Sequence, residues 1–167
     1  MCWARWPPFR ERSVPFKFRQ RDIRKIVLIV LVLAGGAKSY ETSFQSTPIG
    51  QEVGGLVTHI SDGDTIRLNA IKIRLWGVDA PEKGQKGFHE AGDFLSREIL
   101  YKMVSCTVHA HDKYGRLVAQ CSRDDDDADI GAMIIGAGRA RDHARYSKGY
   151  YLPKEIQAKN KHLGLWQ

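Results

Sequence analysis

Acidic side chains recur around two short apolar segments in the middle of the chain. Asp62 and Asp64 flank a glycine before the first segment, and Asp79 and Glu82 follow the second. Carboxylate oxygens are the ligands that a hard divalent cation such as Ca²⁺ prefers. Arg74 lies between the two acidic groups, and its planar guanidinium matches two oxygens of a phosphate. These residues therefore predict a site that holds a cation beside a phosphate.

Short strands must position these groups. Alternating apolar residues predict a strand over 56–60 and a hairpin formed by 66–68 and 71–75. Arg74 is out of phase with the apolar residues on either side of it. Its side chain is therefore expected to point away from the apolar face of the hairpin, where it is available for binding.

A helix, two strands and two further helices complete the predicted domain. Residues 88–101 carry an apolar stripe at helical spacing, and strands are predicted at 103–110 and 117–121. Shorter helices are predicted at 130–137 and 153–160. Five strands with a helix between the third and the fourth favour an α+β fold, a five-stranded β-barrel of the OB type with about three packed helices.

Positive charge is concentrated at the start of the chain. The formal net charge is +7, and residues 1–37 hold eight basic and two acidic residues. The rest of the chain is therefore close to neutral. The basic character of the whole chain does not indicate that its folded body binds a polyanion.

An apolar run near the start of the chain has the features of an export signal. Residues 26–37 are uncharged, Arg24 and Lys25 precede them, and small residues end the run. A transmembrane helix needs about 20 apolar residues, so this run is short for a span. We expect a secretory signal cleaved after Ala37 and a protein exported to the periplasm or the medium; an uncleaved membrane anchor is the alternative. The predicted organisation is a leader over 1–37, a linker over 38–52 and a folded domain over 53–167.

Two cysteines are placed to pair across a hairpin. Cys106 and Cys121 lie at equal distances from the predicted turn at 112–115. In a regular hairpin they face each other, and opposed Cα atoms lie about 4.5–5.5 Å apart, which is within disulfide range. An exported protein would oxidise such a pair. We predict a Cys106–Cys121 disulfide, with two reduced, buried thiols as the alternative.

Three motifs occur in a fixed order along the predicted domain. They are Asp62-Gly63-Asp64-Thr65, then Ile73-Arg74-Leu75 with Val78-Asp79-Ala80-Pro81-Glu82, then Asp112-Lys113-Tyr114-Gly115-Arg116. Together with the closing Gly164-Leu165-Trp166, they resemble the staphylococcal nuclease (thermonuclease) family over about residues 53–167. The resemblance implies an OB-fold barrel that hydrolyses DNA and RNA with Ca²⁺ as cofactor and leaves 3′-phosphate ends.

The resemblance also implies roles for individual residues. Asp64 and Asp79 match the calcium-binding carboxylates, Ala80 matches a site that binds calcium through its backbone carbonyl, and Asp62 matches an acid near the metal. The predicted catalytic residues are Glu82, which would activate water, and the phosphate-binding Arg74 and Arg116. The predicted substrate contacts are Lys113, Tyr114 and Tyr146.

His109 and His111 share a strand face and could hold a metal ion. No third ligand is evident, so exposed strand histidines are expected.

The sequence departs from the family pattern at two places. Gly131 and Ala132 replace an Asn-Glu pair in the second helix, so the packing there must differ. Ala144 falls where a second pocket tyrosine would be, which leaves the preference between DNA and RNA open.

We expect a monomer with nucleic acid as substrate, no stable protein partner, and membrane contact only through an uncleaved leader. The alternatives are a non-catalytic OB-fold module that binds nucleic acid and a membrane-tethered domain that binds a partner.

Overall fold

The computed structural model describes residues 47–167. The predicted leader, its cleavage after Ala37 and the linker up to residue 46 lie outside the described residues. Export and membrane anchoring therefore stay predictions. Within the described range, no helix combines the length and the apolar character that crossing a membrane requires.

Within residues 47–167, five of the seven strands close into a barrel. The strands are β1 (Glu52–Ile60), β2 (Thr65–Leu68), β3 (Ile71–Leu75), β4 (Val78–Asp79), β5 (Met103–His111), β6 (Leu117–Arg123) and β7 (Arg141–Asp142). Their order around the barrel is β1-β2-β3-β6-β5. Only β3 and β6 run parallel within it, and its other pairs are antiparallel. The predicted α+β fold with a five-stranded barrel is confirmed.

In the described part of the chain, four helices and one 3₁₀ helix accompany the barrel. They are α1 (Phe88–Ile99), α2 (Ile130–Gly136), α3 (Ala144–Ser147), α4 (Leu152–Asn160) and the 3₁₀ helix Gly164–Trp166. The helix α1 buries Ala91, Leu95 and Ile99, which join the inward residues of the strands in one hydrophobic core. The helix that the sequence analysis did not predict is α3, a single turn too short to show an apolar period.

The strand β1 begins at Glu52, not at residue 56 as predicted. Gly54 pairs with Ser105 and Gly55 pairs with Val104, so both glycines belong to the barrel. Glycine is depleted in strands and offers no side-chain pattern, which concealed this part of the strand. A Cβ at Gly54 would lie 3.3 Å from the carbonyl oxygen of Val104, so the residue suits a close approach of two backbones.

The hairpin of β5 and β6 carries the predicted disulfide. Cys106 lies directly opposite Cys121 in the register, and the two form a disulfide with Cα atoms 4.0 Å apart. Both cysteines are buried in the core of the barrel. The bond therefore connects the two strands that hold the turn at 112–115.

The glycine in the second helix makes room for a tyrosine. A Cβ at Gly131 would lie 2.6 Å from the hydroxyl oxygen of Tyr151, a fully buried residue. That hydroxyl donates to the carboxylate of Asp129, which also accepts the backbone N–H of Ala132 and so caps α2. Burial first, and then the charge of Asp129, raise the pKa of Tyr151. The packing at the second helix was expected to differ from the family pattern. In the structure, Tyr151 packs against Gly131 and its hydroxyl binds Asp129.

Candidate active site

The carboxylate of Asp64 lies at the centre of the predicted site. It is only 5% exposed, and it accepts hydrogen bonds from the hydroxyl of Thr65 at 3.0 Å and the backbone N–H of Ala80 at 3.4 Å. Asp62 accepts the backbone N–H of Asp64 and so shapes the turn between β1 and β2. A Cβ on Gly63 would lie 2.7 Å or less from side chains of Ala80 and α1, so the turn needs glycine there. The two acidic motifs therefore meet in space.

Arg74 joins this carboxylate to the strand β3. Its guanidinium forms an ion pair with Asp64 and donates a hydrogen bond to the carbonyl of Val78 at 3.2 Å. The pKa of Arg74 is lowered, first by burial and then by the positive charge of Arg116. Three acids act on it in the opposite direction: Asp62, Asp79 and Glu82. The predicted acids and both arginines therefore share one electrostatic environment.

Arg116, which follows the turn between β5 and β6, is connected to Asp64 through Thr65. Asp112 holds it, since that carboxylate accepts the Arg116 backbone N–H at 2.9 Å and its Nε at 2.6 Å. A terminal nitrogen of Arg116 then donates to the hydroxyl of Thr65 at 3.2 Å, and that hydroxyl donates to Asp64. The structure thus places Arg116 on the same side of the barrel as Asp64 and Arg74. The sequence analysis assigned no role to Asp112 or Thr65.

A cleft of about 740 Å³, here called the arginine cleft, opens beside the two arginines. All three predicted substrate contacts lie in it: Lys113, Tyr114 and Tyr146. The ring of Tyr114 lies 5.0 Å from the ammonium of Lys113 and 5.5 Å from the guanidinium carbon of Arg116. An exposed aromatic face bordered by cations can take both a base and its phosphate.

Four ring residues that line the arginine cleft were not predicted as site residues: Trp76, His109, His111 and His143. Trp76 and His109 stack with ring centroids 4.5 Å apart, and His143 packs edge-on against Tyr146 at 4.6 Å. His111 is exposed, as expected, whereas His109 is partly buried by its contact with Trp76. The expectation of an exposed His109 is therefore wrong. The only sequence signal for this ring cluster was Trp76, which immediately follows a predicted strand. Its stacking partner His109 lies far away in sequence, so the contact could not be predicted.

The remaining predicted residues line a second, adjoining cleft of about 380 Å³, here called the carboxylate cleft. Asp79, Ala80 and Glu82 lie in it together with Arg141. Asp79 and Glu82 are exposed, and the backbone N–H of Glu82 donates to the side chain of Gln85 at 2.8 Å. Arg74 reaches toward the same strand end because it binds the carbonyl of Val78, immediately before Asp79. The two clefts therefore adjoin at β4.

The residues that could hold a metal are all oxygen donors. Within residues 47–167, no three histidine, cysteine or carboxylate side chains form a metal cluster by themselves. Asp64 and Asp79 supply carboxylates, and the hydrogen bond from Ala80 to Asp64 brings that backbone beside them. Two carboxylates and a carbonyl suit Ca²⁺ chemically, because this ion takes oxygen ligands and completes its shell with water.

Comparison with known proteins shows the family of the chain. The profile of the family described as staphylococcal nuclease homologue matches residues 72–167, more than half of the chain. The chain belongs to this family. The resemblance drawn from the motifs is therefore confirmed. The matched region begins in β3 and includes Arg74, Asp79, Glu82 and Arg116, whereas the turn that carries Asp64 precedes it.

Proteins with several different names are similar to this chain in sequence. A protein named "Uncharacterized endonuclease" from Escherichia coli O157:H7 is 31% identical over 120 residues, which cover 69% of this chain and 78% of the relative. "Micrococcal nuclease" from Shigella flexneri is 29% identical over 135 residues, covering 72% of this chain and 78% of the relative. "Succinoglycan biosynthesis protein ExoI" from Rhizobium meliloti is 31% identical over 147 residues, covering 81% and 73%. The chain therefore matches most of the length of each of these three relatives.

Proposed function

We propose that this protein is a Ca²⁺-dependent nuclease that hydrolyses phosphodiester bonds of DNA or RNA and leaves 3′-phosphate ends. The observation that carries the proposal is the continuous set of contacts from Arg116 through Thr65 to Asp64 and on to Arg74. Two guanidinium groups and a buried carboxylate meet there at the edge of a cleft with an exposed aromatic wall. Membership of a nuclease family and the names of the relatives support the same activity.

The arginines would bind the phosphate that is cleaved. Each guanidinium can donate two parallel hydrogen bonds to phosphate oxygens, and these bonds strengthen as negative charge builds up in the transition state. Asp112 holds Arg116 by its Nε, which leaves the terminal nitrogens directed toward Thr65 and the cleft. Arg74 is paired with Asp64. A phosphate would take over part of this contact when substrate binds. The side chains of the site are thus held in place before substrate arrives.

Glu82 is the proposed general base. Its carboxylate is exposed in the carboxylate cleft, so water has access to it. In the proposed step Glu82 takes one proton from a water molecule whose oxygen forms a bond to phosphorus. The bond from phosphorus to the 5′-oxygen breaks, its electron pair leaves with that oxygen, and the oxygen takes a proton from solvent. The phosphate stays on the 3′-oxygen of the preceding nucleotide.

Asp64, Asp79 and the backbone carbonyl of Ala80 would hold the metal. When bound, Ca²⁺ supplies partial neutralisation of the phosphate charge and an orienting contact for water. Asp64 is held by Thr65 and Ala80, whereas Asp79 lies exposed at the end of β4. One carboxylate is therefore fixed in advance, and the other is accessible to an incoming ion.

A cleavage assay on the full-length protein tests this function. Linear DNA and RNA are incubated with Ca²⁺ or with the chelator EGTA, for wild type, Glu82→Gln and the control Glu90→Gln, an exposed acid on α1. We expect cleavage only with Ca²⁺, about a 10²–10⁴-fold loss for Glu82→Gln, which is typical of general-base help, and no change for the control. Product ends should support polymerase extension only after phosphatase treatment. Calcium-dependent binding without cleavage would favour the non-catalytic module instead.

A further inference from the structure

A row of basic residues crosses the outer face of the barrel beside the proposed site. Lys72 on β3 lies directly opposite Arg67 on β2, and Arg67 lies opposite His59 on β1. Residues directly opposite in an antiparallel pair project from the same face of the sheet. His59, Arg67 and Lys72, here called the basic row, therefore lie side by side across three strands.

The basic row continues from the arginine site. Lys72 is two residues from Arg74 on β3, so both side chains leave the same face, about 6.6 Å apart along the strand. The residues that alternate with them, Ile73 and Leu75, are buried in the barrel, which confirms that the basic residues face outward. Lys72 and His59 are exposed, and Arg67 is partly exposed. The row is therefore accessible from the side on which the scissile phosphate would bind.

No acid among the described residues forms an ion pair with this row. Within residues 47–167, none of its three members forms a salt bridge, and the Nε of Arg67 is buried without a hydrogen-bond partner. Like charges directly opposite in a sheet destabilise the pair, and Lys72 faces Arg67 in this way. The acidic run 124–127 follows the far end of β6, about 23 Å along that strand from Arg116. A body of nearly zero net charge thus carries a locally positive face.

We propose that the basic row binds the phosphate backbone of the nucleic-acid strand that flanks the cleaved bond. This inference rests on the proposed nuclease function and extends it from one phosphate to a longer strand. The three strands span about 10 Å, which is long enough for the row to contact more than one phosphate of a strand. The face of β2 and β3 is also where OB barrels bind oligonucleotides. The row favours long substrates over single nucleotides.

Salt-dependent binding tests the row. Full-length protein in the Glu82→Gln background, in which cleavage is expected to be slow, is titrated against a fluorescent 20-nucleotide single-stranded DNA with Ca²⁺, between 50 and 200 mM salt, and anisotropy gives Kd. Replacing Arg67 and Lys72 by alanine should remove two phosphate contacts, which lowers the slope of log K against log salt by about 1.4 and weakens binding roughly 25-fold at 0.1 M salt. The matched control is Lys161→Ala, an exposed lysine beyond α4.

Two further variants separate charge from structure. Arg67→Lys keeps the charge and should keep the slope, and the exposed single change Lys72→Ala should lower the slope by about 0.7 even if the double variant unfolds. An unchanged slope in Lys72→Ala and the double variant would overturn the proposal. If wild type never cleaves DNA but the slope still depends on these residues, the nuclease function fails and the basic row stands as a binding site.

Discussion

At the residue scale, the proposed site depends on side chains that hold other side chains. Asp64 accepts from Thr65 and Ala80 and pairs with Arg74, while Asp112 fixes Arg116. The types and spacing of the acids and arginines could be read from the sequence, since each stands in a short motif. The supporting roles of Thr65 and Asp112 could not be predicted, although both residues stand in the same motifs, because their contacts depend on how the strands meet in space.

The fork of Arg116 gives the first prediction at this scale. Arg116→Lys removes both the Nε contact to Asp112 and the terminal contact to Thr65, because one ammonium cannot make the two together. We expect kcat/KM on DNA to fall about 10²-fold, comparable to losing one donor to a developing oxyanion, while the fold is retained. Arg97→Lys on the exposed face of α1 is the control. Near-full turnover of Arg116→Lys would contradict the assignment.

The carboxylate of Asp112 predicts a pH dependence of stability. Burial pushes its pKa up, but hydrogen bonds from Arg116 and from the backbone N–H of Tyr114 outweigh this and lower the pKa below 3.8. A lowered folded pKa means that the ionised group stabilises the fold above the unfolded value and loses this effect as the pH falls through the folded value. Asp112→Asn should therefore be destabilising at pH 7, and its difference from wild type in urea unfolding should narrow below about pH 3.8. A constant difference from pH 7 to pH 3 would refute this.

At the element scale, segments with a clear hydrophobic period were predicted well, and segments too short to show a period were not. The hairpin of β2 and β3 and the helix α1 follow from alternation and from an apolar stripe. The pair of β4 and β7 has two residues in each strand, so neither shows a period, yet this pair presents Asp79 beside Arg141. Tertiary contacts alone create such elements, which explains why the boundary between the two clefts could not be predicted.

The contact of α2 with Tyr151 gives a prediction about packing. A Cβ added at Gly131 would overlap the tyrosine ring, whose carbon Cζ lies 2.7 Å away, so Gly131→Ala should destabilise the fold by about 1–3 kcal/mol through overpacking. The matched change Gly92→Ala lies in the middle of α1, where nothing lies within 4 Å of the added carbon. It should stabilise by roughly 0.5–1 kcal/mol, because alanine is the better helix former. Urea unfolding of both variants measures the contrast, and equal effects of the same sign would contradict it.

At the scale of the whole molecule, the fold class could be predicted because five strand signals and one central helix fit few architectures. The arginine cleft could not, since it joins Trp76 after β3, His109 in β5 and Tyr146 in α3 across the closed barrel. The net charge of the folded body could be counted from the sequence and is near zero. The positions of the charged side chains on the barrel could not be predicted, because they depend on the strand register. The leader lies outside the described residues, so export stays a prediction that signal cleavage after Ala37 would test.

Metal binding should be visible in the stability of the whole domain. A ligand that binds only the folded state stabilises it by about 2.7 kcal/mol at 100 times its Kd, which for a domain of this size corresponds to a rise of roughly 10 °C in Tm. We therefore expect added Ca²⁺ to raise the Tm of the full-length protein, measured by calorimetry, and EGTA to reverse the rise.

Asp79→Asn should abolish the Ca²⁺-induced rise in Tm without altering the metal-free Tm. Asp79 is exposed, and its side chain has no hydrogen-bond or ion-pair partner among residues 47–167. Asp93→Asn, an equally exposed acid on α1, should keep the shift. The same rise in wild type and in Asp79→Asn would show that the ion binds elsewhere, and the carboxylate pair of Asp64 and Asp79 would then not be the calcium site.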